Sequence, residues 1–260
     1  MGEAMLSATL DQRLNSPGDI SISDINEARR QYLKQKYGVT VTSDNRLAAE
    51  NGEVVVFAIK PQNLGDIMTE LDGHLKPKQL VLSIIAGARI DALRRGLNHN
   101  RIIRTMPNTP AQIGQGITVW TATAEVTEQQ REWTSSFLTV MGKEIYVDDE
   151  EYINMATAIS GSGPAYSFLF VEVLVEAATH IGLPHDMARE LVLETILGSA
   201  RLIQESGKEP SELRRMVTSP GGTTAAALQQ LEQGEFANLI KQAVSAAYAK
   251  ANKLGGDESR

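Results

Sequence analysis

The chain has 260 residues, of which 42% are hydrophobic and 22% charged, enough for one large or two modest domains with cores of their own. Its formal net charge of −7 argues against nucleic acid and anionic membranes as partners, because both attract basic surfaces. The lack of cysteine excludes disulfides, thiolate catalysis and cysteine-ligated metals; with no evident secretory signal, we expect a cytoplasmic protein.

The first half alternates short β-like runs with helical stretches. It begins inside a helical pattern, where Leu6, Leu10 and Leu14 recur at fourfold spacing. The predicted strands lie in the alternating or nearly continuous apolar runs DISISDI (19–25), EVVVFAIKP (53–61), QLVLSIIAG (79–87), RIIRTMPNTP (101–110), ITVWTA (117–122) and KEIYVDD (143–149). Strands alternating with helices predict a doubly wound, parallel α/β sheet.

The second half reads as helices alone, so we predict a domain boundary near residues 148–152. Ser162 and Pro164 suit the N-cap and first turn of a long helix that ends near Ile181. Glu172 and Glu176 interrupt its apolar run, which favours a bundle helix over a membrane span. Further helices are predicted over the ranges 184–207, 209–217 and 223–256. The acidic run 148–151 predicts a solvated segment, and the GGDESR tail predicts frayed chain.

The segment SPGGTT (219–224) is the most informative of three glycine-rich stretches. It runs directly into an alanine-rich helix, so backbone N–H groups, hydroxyls and the positive end of the helix would converge on a carboxylate or phosphate. An ordinary serine-capped helix start is the alternative interpretation.

Small or polar residues also follow three of the predicted strands. Lys60 ends the strand of FAIKPQ, Ala86 and Gly87 follow the next strand, and Asn108 follows the third. Because ligands of open α/β sheets bind at the carboxyl ends of the strands, these residues predict a shared crevice. A solvated lysine in a strand-to-helix turn is the alternative for Lys60.

Two further kinds of site are not supported by the pattern. The histidines stand apart without metal-ligand spacing, so each is predicted to be a surface residue and no metal site is expected: His74, His99, His180 and His185. Ser162 in SGSGPAY has no evident base partner, so we interpret that segment as a close-packed loop at a hinge.

The chain resembles the pyrroline-5-carboxylate reductase family over essentially its whole length. The resemblance is carried by FAIKPQ, IIRTMPNTPAQIGQGIT, AISGSGPAY and MVTSPGGTTAAALQQLE, in that order and at the family's spacing. It implies a Rossmann-like NAD(P)-binding domain over residues 1–149 and an all-α dimerisation and substrate-binding domain over residues 150–260. It further implies reduction of 1-pyrroline-5-carboxylate to L-proline, the last step of proline biosynthesis.

The resemblance assigns roles to individual residues. Thr224 would contact the ring nitrogen and Lys60 would polarise the site, so these two are the catalytic candidates. The substrate carboxylate would be held by the SPGGTT loop: Ser219, Gly221, Gly222, Thr223 and Thr224. The implied cofactor-binding residues are Gly2, Asn45, Ala58, Lys60, Pro61, Ala86, Gly87 and Asn108.

The amino end departs from the family pattern. Family members begin with a strand and a Gly-x-Gly-x-x-Gly loop, of which Gly2 would be the third glycine. The first strand and the two earlier glycines are missing, which either a start codon assigned too late or a genuine deletion would explain. We therefore expect weak cofactor binding, and an N-terminal domain whose sheet lacks its first strand.

The sequence does not decide between NADH and NADPH, or between a dimer and a larger oligomer. Asp24, at the end of the second family strand, favours NADH, whereas Arg29 and Arg30 suit the 2′-phosphate of NADPH, the family's usual cofactor. The resemblance implies a homodimer or a decamer. The alternatives are a related Rossmann reductase of another imine or a hydroxy acid, and a catalytically impaired oligomeric scaffold.

Overall fold

The computed structural model describes residues 1–50 and 52–256, which form two compact units. The first unit contains residues 1–164 together with the end of the chain from Ala246, and the second contains Ala165–Ser245. The predicted fraying of the tail falls on residues 257–260, which lie outside the described residues. The predicted boundary after residue 149 stays a prediction.

The first unit begins with helix α1 (Gly2–Asp11), as the leucine spacing predicts. Leu14 lies beyond the helix and is exposed, because the chain turns away after Asp11. The following helices are α2 (Glu27–Tyr37), α3 (Asn45–Glu50), α4 (Leu64–Leu71), α5 (Ile90–Leu97), α6 (Glu128–Thr139) and α7 (Glu151–Ala156). The strands are β1 (Ser21–Ser23), β2 (Thr40–Thr42), β3 (Val54–Phe57), β4 (Leu80–Ser83), β5 (Ile102–Met106), β6 (Gly116–Ala122) and β7 (Gly142–Tyr146).

Strands β3 to β7 form one sheet in chain order. The pairs β3–β4, β4–β5 and β6–β7 are parallel, but β5 and β6 are antiparallel, with Thr105 opposite Trp120. The predicted parallel sheet is therefore confirmed for these three pairs, and the prediction is wrong only for the direction of β6 relative to β5. The reason is the connection over residues 107–115, which contains one 3₁₀ turn and is too short for the crossover that a parallel pair requires.

The short strands β1 and β2 form a separate parallel pair, with Ile22 opposite Val41. Among the described residues, β1 pairs with β2 alone and β3 pairs with β4 alone. Each of these two strands therefore keeps one hydrogen-bonding edge without a ladder partner. Sequence analysis did not predict β2, although Val39 and Val41 alternate with threonines there as Ile20 and Ile22 alternate with serines at β1.

The core of the first unit lies on both faces of the five-stranded sheet. Leu80 and Leu82 pack on one face with α1 and α6, and Val81 packs on the other with α4 and α5. All residues of β4 and β5 are buried, as expected for strands covered on both sides. Ile153 of α7 packs against Met106 and Val119, which ties this helix to the sheet.

The second unit consists of helices, and the predicted ranges agree with them. These helices are α8 (Gly163–His180), α9 (His185–Ser206), α10 (Pro210–Met216), α11 (Thr223–Gln233) and α12 (Phe236–Leu254), of which α8 and α12 extend into the first unit. Gly182 and Gly207 have positive φ angles at the ends of α8 and α9, as C-terminal cap glycines do.

The start of the long apolar helix differs from the prediction. The AISGSGPAY segment forms no loop; a π-helical turn over Thr157–Gly161 joins α7 to α8 without a break. Ser162 donates its hydroxyl to the Thr157 carbonyl (3.1 Å), so it belongs to the helix and does not cap its start. Most residues of this segment are small, and the hydroxyls of Thr157 and Ser160 donate to the carbonyls of Ile153 and Ala156 in the preceding turn. Such side chains fit a wider helical turn.

Candidate active site

The predicted cofactor residues lie mainly at the carboxyl ends of β3, β4 and β5. Ala58, Lys60 and Pro61 follow β3, whereas Ala86 and Gly87 follow β4. These three strands are parallel, so the residues that follow them lie at one edge of the sheet. Asn108 follows β5 at the same edge.

Gly2 brings the start of α1 to this edge. A Cβ atom at Gly2 would come within 3.1 Å of the Ala58 Cβ, a tighter contact than most side chains make, so glycine eases this close approach of helix to strand. No side chain caps α1 in the described part of the chain, and its first backbone N–H groups are therefore available to an anion.

Gly87 is covered by the end of the chain, which sequence analysis did not foresee. Its φ angle is +78°, and a Cβ atom there would lie 2.5 Å from the Leu254 Cβ and 3.0 Å from the Gly255 nitrogen. The last turn of α12 thus packs on the loop after β4. Any side chain at Gly87 would be strained by its backbone and would collide with this turn.

Two candidate asparagines have structural partners of their own. The Asn45 amide donates to Glu70 Oε2 (2.7 Å), and Asn108 Oδ1 accepts from the Ile117 N–H (3.0 Å). A cofactor could therefore use only the remaining amide atoms of each side chain. Lys60 is exposed, and its ammonium has no described ion pair within residues 1–50 and 52–256.

Glu3 is the centre of a polar cluster at the start of α1. Its carboxylate accepts from Arg29 Nη2 (2.5 Å), the Tyr37 hydroxyl (2.8 Å), the Tyr32 hydroxyl (3.0 Å) and Lys36 Nζ (3.0 Å). The Arg29 hydrogen bond, followed by that of Tyr37, lowers the pKa of Glu3 from 4.5 to about 2. The hydrogen bond to Glu3 raises the pKa of Arg29, and hydrogen bonds to Tyr32, then Tyr37 and Glu3, raise the pKa of Lys36. Glu3 therefore stays charged at neutral pH.

A buried charge pair links the sheet to α7. Arg104 of β5 is fully buried and donates to Glu150 Oε1 (2.7 Å) and Asn154 Oδ1 (2.7 Å), while its Nε has no partner among the described residues. Burial lowers the pKa of Arg104, and Glu150 opposes that shift. Glu150 also accepts the Ile90 N–H (2.8 Å) at the start of α5.

The acidic run 148–151 is therefore not simply solvated, contrary to the prediction. Glu150 pairs with a buried arginine, and Glu151 accepts a hydrogen bond from the Tyr248 hydroxyl. The signal was Arg104 itself, because an arginine inside an apolar strand requires a carboxylate partner.

His99 also differs from its prediction as a surface residue. It is buried, with Nε2 2.8 Å from the Gln79 carbonyl oxygen. Within the described ranges, no three histidine or acidic side chains are grouped as metal ligands.

The SPGGTT segment forms a tight turn before α11 in the second unit. The Gly222 N–H donates to the Ser219 carbonyl (3.1 Å), and Gly221 has a φ of +72° at the third position of the turn, where a type II turn requires glycine. A Cβ atom at Gly222 would lie 2.5 Å from Ser219 Oγ, so the hydroxyl rests directly over this glycine.

The start of α11 is open to a ligand. No side chain in the described residues caps the helix, and the first helical bond runs from the Ala226 N–H to the Gly222 carbonyl (3.1 Å). The preceding N–H groups, including those of Thr223 and Thr224, point out of the helix. The turn therefore offers an anion backbone N–H donors together with the hydroxyls of serine and threonine side chains.

Comparison with known proteins decides the family. Residues 150–254 match the family model for pyrroline-5-carboxylate reductase dimerisation, and residues 1–87 match that for NADP oxidoreductase, coenzyme F420-dependent. The pyrroline-5-carboxylate reductase of Synechocystis is 38% identical over 98% of this chain and 95% of its own length. That of Pseudomonas aeruginosa is 37% identical with the same coverage.

The chain belongs to the pyrroline-5-carboxylate reductase family. Solved structures agree: the Plasmodium falciparum enzyme with NADP bound has a TM-score of 0.90 at 28% identity, covering 98% of this chain and 94% of its own. The Coxiella burnetii enzyme has a TM-score of 0.86 at 36% identity, covering 97% and 94%. The predicted family, fold class and reductase activity on a cyclic imine are thereby confirmed.

Family membership also bears on the apolar helix over Glu151–His180. By length and hydropathy alone it could cross a membrane, and only 11% of its most apolar 18-residue stretch is buried within the described part of the chain. This helix lies in the segment over residues 150–254 that matches the pyrroline-5-carboxylate reductase dimerisation model.

Proposed function

We propose that the chain reduces 1-pyrroline-5-carboxylate to L-proline with NADPH, and with NADH as a weaker alternative. The observation that carries the assignment of its site is the uncapped turn at Ser219–Thr224, which suits a small carboxylate. The names of its relatives support the reaction, and the NADP-bound Plasmodium structure supports the cofactor.

The substrate carboxylate is assigned to the turn before α11. The N–H groups of Gly222, Thr223 and Thr224 and the Ser219 hydroxyl would receive its oxygens, while Gly221 makes the turn sharp enough for them to converge. The hydroxyl of Thr224 would donate to the ring nitrogen. Hydrogen bonding at that nitrogen makes the neighbouring carbon more electrophilic, which hydride addition requires.

The edge formed by β3, β4 and β5 fits a dinucleotide. The uncapped start of α1 and the close approach of Gly2 to Ala58 suit a pyrophosphate, and small residues at Ala86 and Gly87 leave room for a flat ring. Bound NADPH would supply the hydride. Lys60, exposed and without a carboxylate partner in the described ranges, would polarise the site, and the other contacts are assigned to Asn45, Pro61 and Asn108.

The proposal includes a homodimer formed through the second unit. The match to a dimerisation domain supports it, as do the exposed apolar side chains of α8. A decamer and a cytoplasmic location remain predictions.

The proposed site is tested with Ser219→Ala and Thr224→Ala, with Thr195→Ala as the control. The Thr195 hydroxyl is exposed and, among residues 1–50 and 52–256, bonds only to the Leu191 carbonyl of its own helix (2.7 Å). We expect each site variant to lower kcat/KM for the imine about tenfold or more, because a lost hydrogen bond to a charged or reacting group is worth about 1.5–3 kcal/mol. The unfolding midpoint and the control's activity should not change.

The measurement is oxidation of NADPH with 1-pyrroline-5-carboxylate, other cyclic imines and small hydroxy acids as substrates. Full kcat/KM in both site variants would refute the carboxylate assignment. A preference for another substrate of the panel would favour a related reductase, and inactivity towards all of them would favour the scaffold.

A further inference from the structure

Two adjacent arginines follow β1, where Rossmann-like folds bind the ribose of the adenosine. Arg29 and Arg30 lie in the first turns of α2, shortly after Asp24. Either guanidinium could pair with a 2′-phosphate by residue type, because arginine binds phosphate through two parallel hydrogen bonds. The structure distinguishes them by the partners they already have.

Arg29 is already neutralised. Its Nη2 lies 2.5 Å from Glu3 Oε2, and its guanidinium also stacks 5.0 Å from the Tyr32 ring centroid. Glu3 is held in place by three further donors, so Arg29 would have to leave a fixed carboxylate before it could bind a phosphate.

Arg30 keeps its charge uncompensated. Its Nη1 donates to the backbone carbonyl of Asp24 (2.7 Å), which is neutral, and it has no carboxylate partner among residues 1–50 and 52–256. This hydrogen bond fixes the guanidinium against the end of β1. Its other N–H donors have no described acceptor in those ranges.

The Asp24 carboxylate is partly engaged in the turn. Its Oδ1 accepts the Asn26 N–H (2.8 Å), and Asn26 in turn caps α2 by accepting the Arg29 N–H (3.2 Å). An acidic residue here is the usual ligand of an unphosphorylated ribose. In this chain that carboxylate stabilises the entry to α2, with a cationic side chain fixed beside it.

We infer that Arg30, and not Arg29, determines cofactor specificity by binding the 2′-phosphate of NADPH. The inference depends on the proposed function in one respect: it assumes that the chain binds a nicotinamide dinucleotide. It assigns the choice between NADPH and NADH to one side chain, whereas Arg29 serves the Glu3 cluster.

The test uses fragments of the cofactor, so that it depends neither on the pyrophosphate loop nor on turnover. Calorimetry would measure binding of 2′,5′-ADP and of 5′-AMP, which differ in the 2′-phosphate, to the full chain and to Arg30→Gln and Arg29→Gln. We expect the full chain to prefer 2′,5′-ADP. Arg30→Gln should reduce that preference about tenfold or more, since a charged pair to phosphate is lost, with 5′-AMP binding unchanged. Arg29→Gln should keep it.

Unchanged preference in Arg30→Gln, its loss in Arg29→Gln, or no preference in the parent chain would each overturn the inference. Circular dichroism of both variants verifies folding, and Asp24→Asn, which removes only a charge, should strengthen binding of 2′,5′-ADP. Selective binding of 2′,5′-ADP by a chain that reduces no imine would refute the proposed function but leave this inference intact.

Discussion

The two compact units differ in how much of their apolar surface they bury themselves. In the first, β4 and β5 are covered on both faces, and Leu80, Leu82 and Ile103 are fully buried. In the second, Phe168 is 64% exposed and Leu169 58%, although the helices around them are equally regular. Regular secondary structure is therefore no sign of a complete core. The second unit needs another surface, and its match to a dimerisation domain indicates a second copy of the chain.

The largest effect is expected when a substitution places a charge on that apolar surface of the second unit. Phe168→Glu would place a carboxylate in the proposed dimer interface, where its desolvation is costly. We expect the dimer dissociation constant to rise about 100-fold or more, the cost of losing an interface hot spot, measured by sedimentation. Leu47→Glu is the matched control, since Leu47 is 58% exposed but lies in the first unit. Equal dimerisation of both variants would contradict the contrast between the units.

A smaller effect is expected from giving a ladder partner to the edges of β1 and β3 that have none among the described residues. Extension of the amino end by an apolar strand and a Gly-x-Gly loop should pair the free edges of β1 and β3. We expect a gain of roughly 3–5 kcal/mol, since each added backbone hydrogen bond contributes about 1 kcal/mol, and tighter NADPH binding. Thermal unfolding and fluorescence titration measure the two effects. A glycine-serine extension of equal length is the control, and no difference between the extensions would refute the expected strand.

The smallest effect concerns the Glu3 cluster. The pKa of Glu3 is lowered from 4.5 to about 2, so its stabilising effect is complete above pH 4.5 and is lost as the pH falls towards 2. Glu3→Gln should remove this pH dependence and cost about 1 kcal/mol at neutral pH, as partly exposed ion pairs do. Urea unfolding across this pH range measures it. Asp11→Asn is the control, since within the described part of the chain the Asp11 side chain accepts a hydrogen bond only from Ser7 (3.2 Å). Equal pH profiles for the two variants would contradict the assignment.

Periodicity and glycine placement predicted most elements, because apolar runs and caps are local signals. The direction of β6 was missed, since an apolar strand has the same pattern whether its neighbour is parallel or antiparallel. Contacts between residues far apart in the sequence were not predicted by these local patterns. Examples are the burial of His99, the ion pair of Glu150 with Arg104, and the contact of Leu254 with Gly87.

The same division holds for the candidate site: its local features were predicted from the sequence, and its tertiary contacts were not. The position of Lys60 and the turn at Gly221 followed from strand ends and glycine spacing. The internal hydrogen bonds of Asn45 and Asn108 did not, because they depend on tertiary contacts with Glu70 and Ile117.

The burial of Arg104 has a consequence for the response of the protein to dissolved salt. Mobile ions screen charges that water reaches, over about 8–10 Å at physiological ionic strength, but penetrate little into a packed interior. Arg104 has no exposed side-chain area, whereas Arg29 and Lys36 are 38% and 49% exposed. A concentrated electrolyte thus weakens the contacts of Glu3 long before it affects the attachment of α7 to β5.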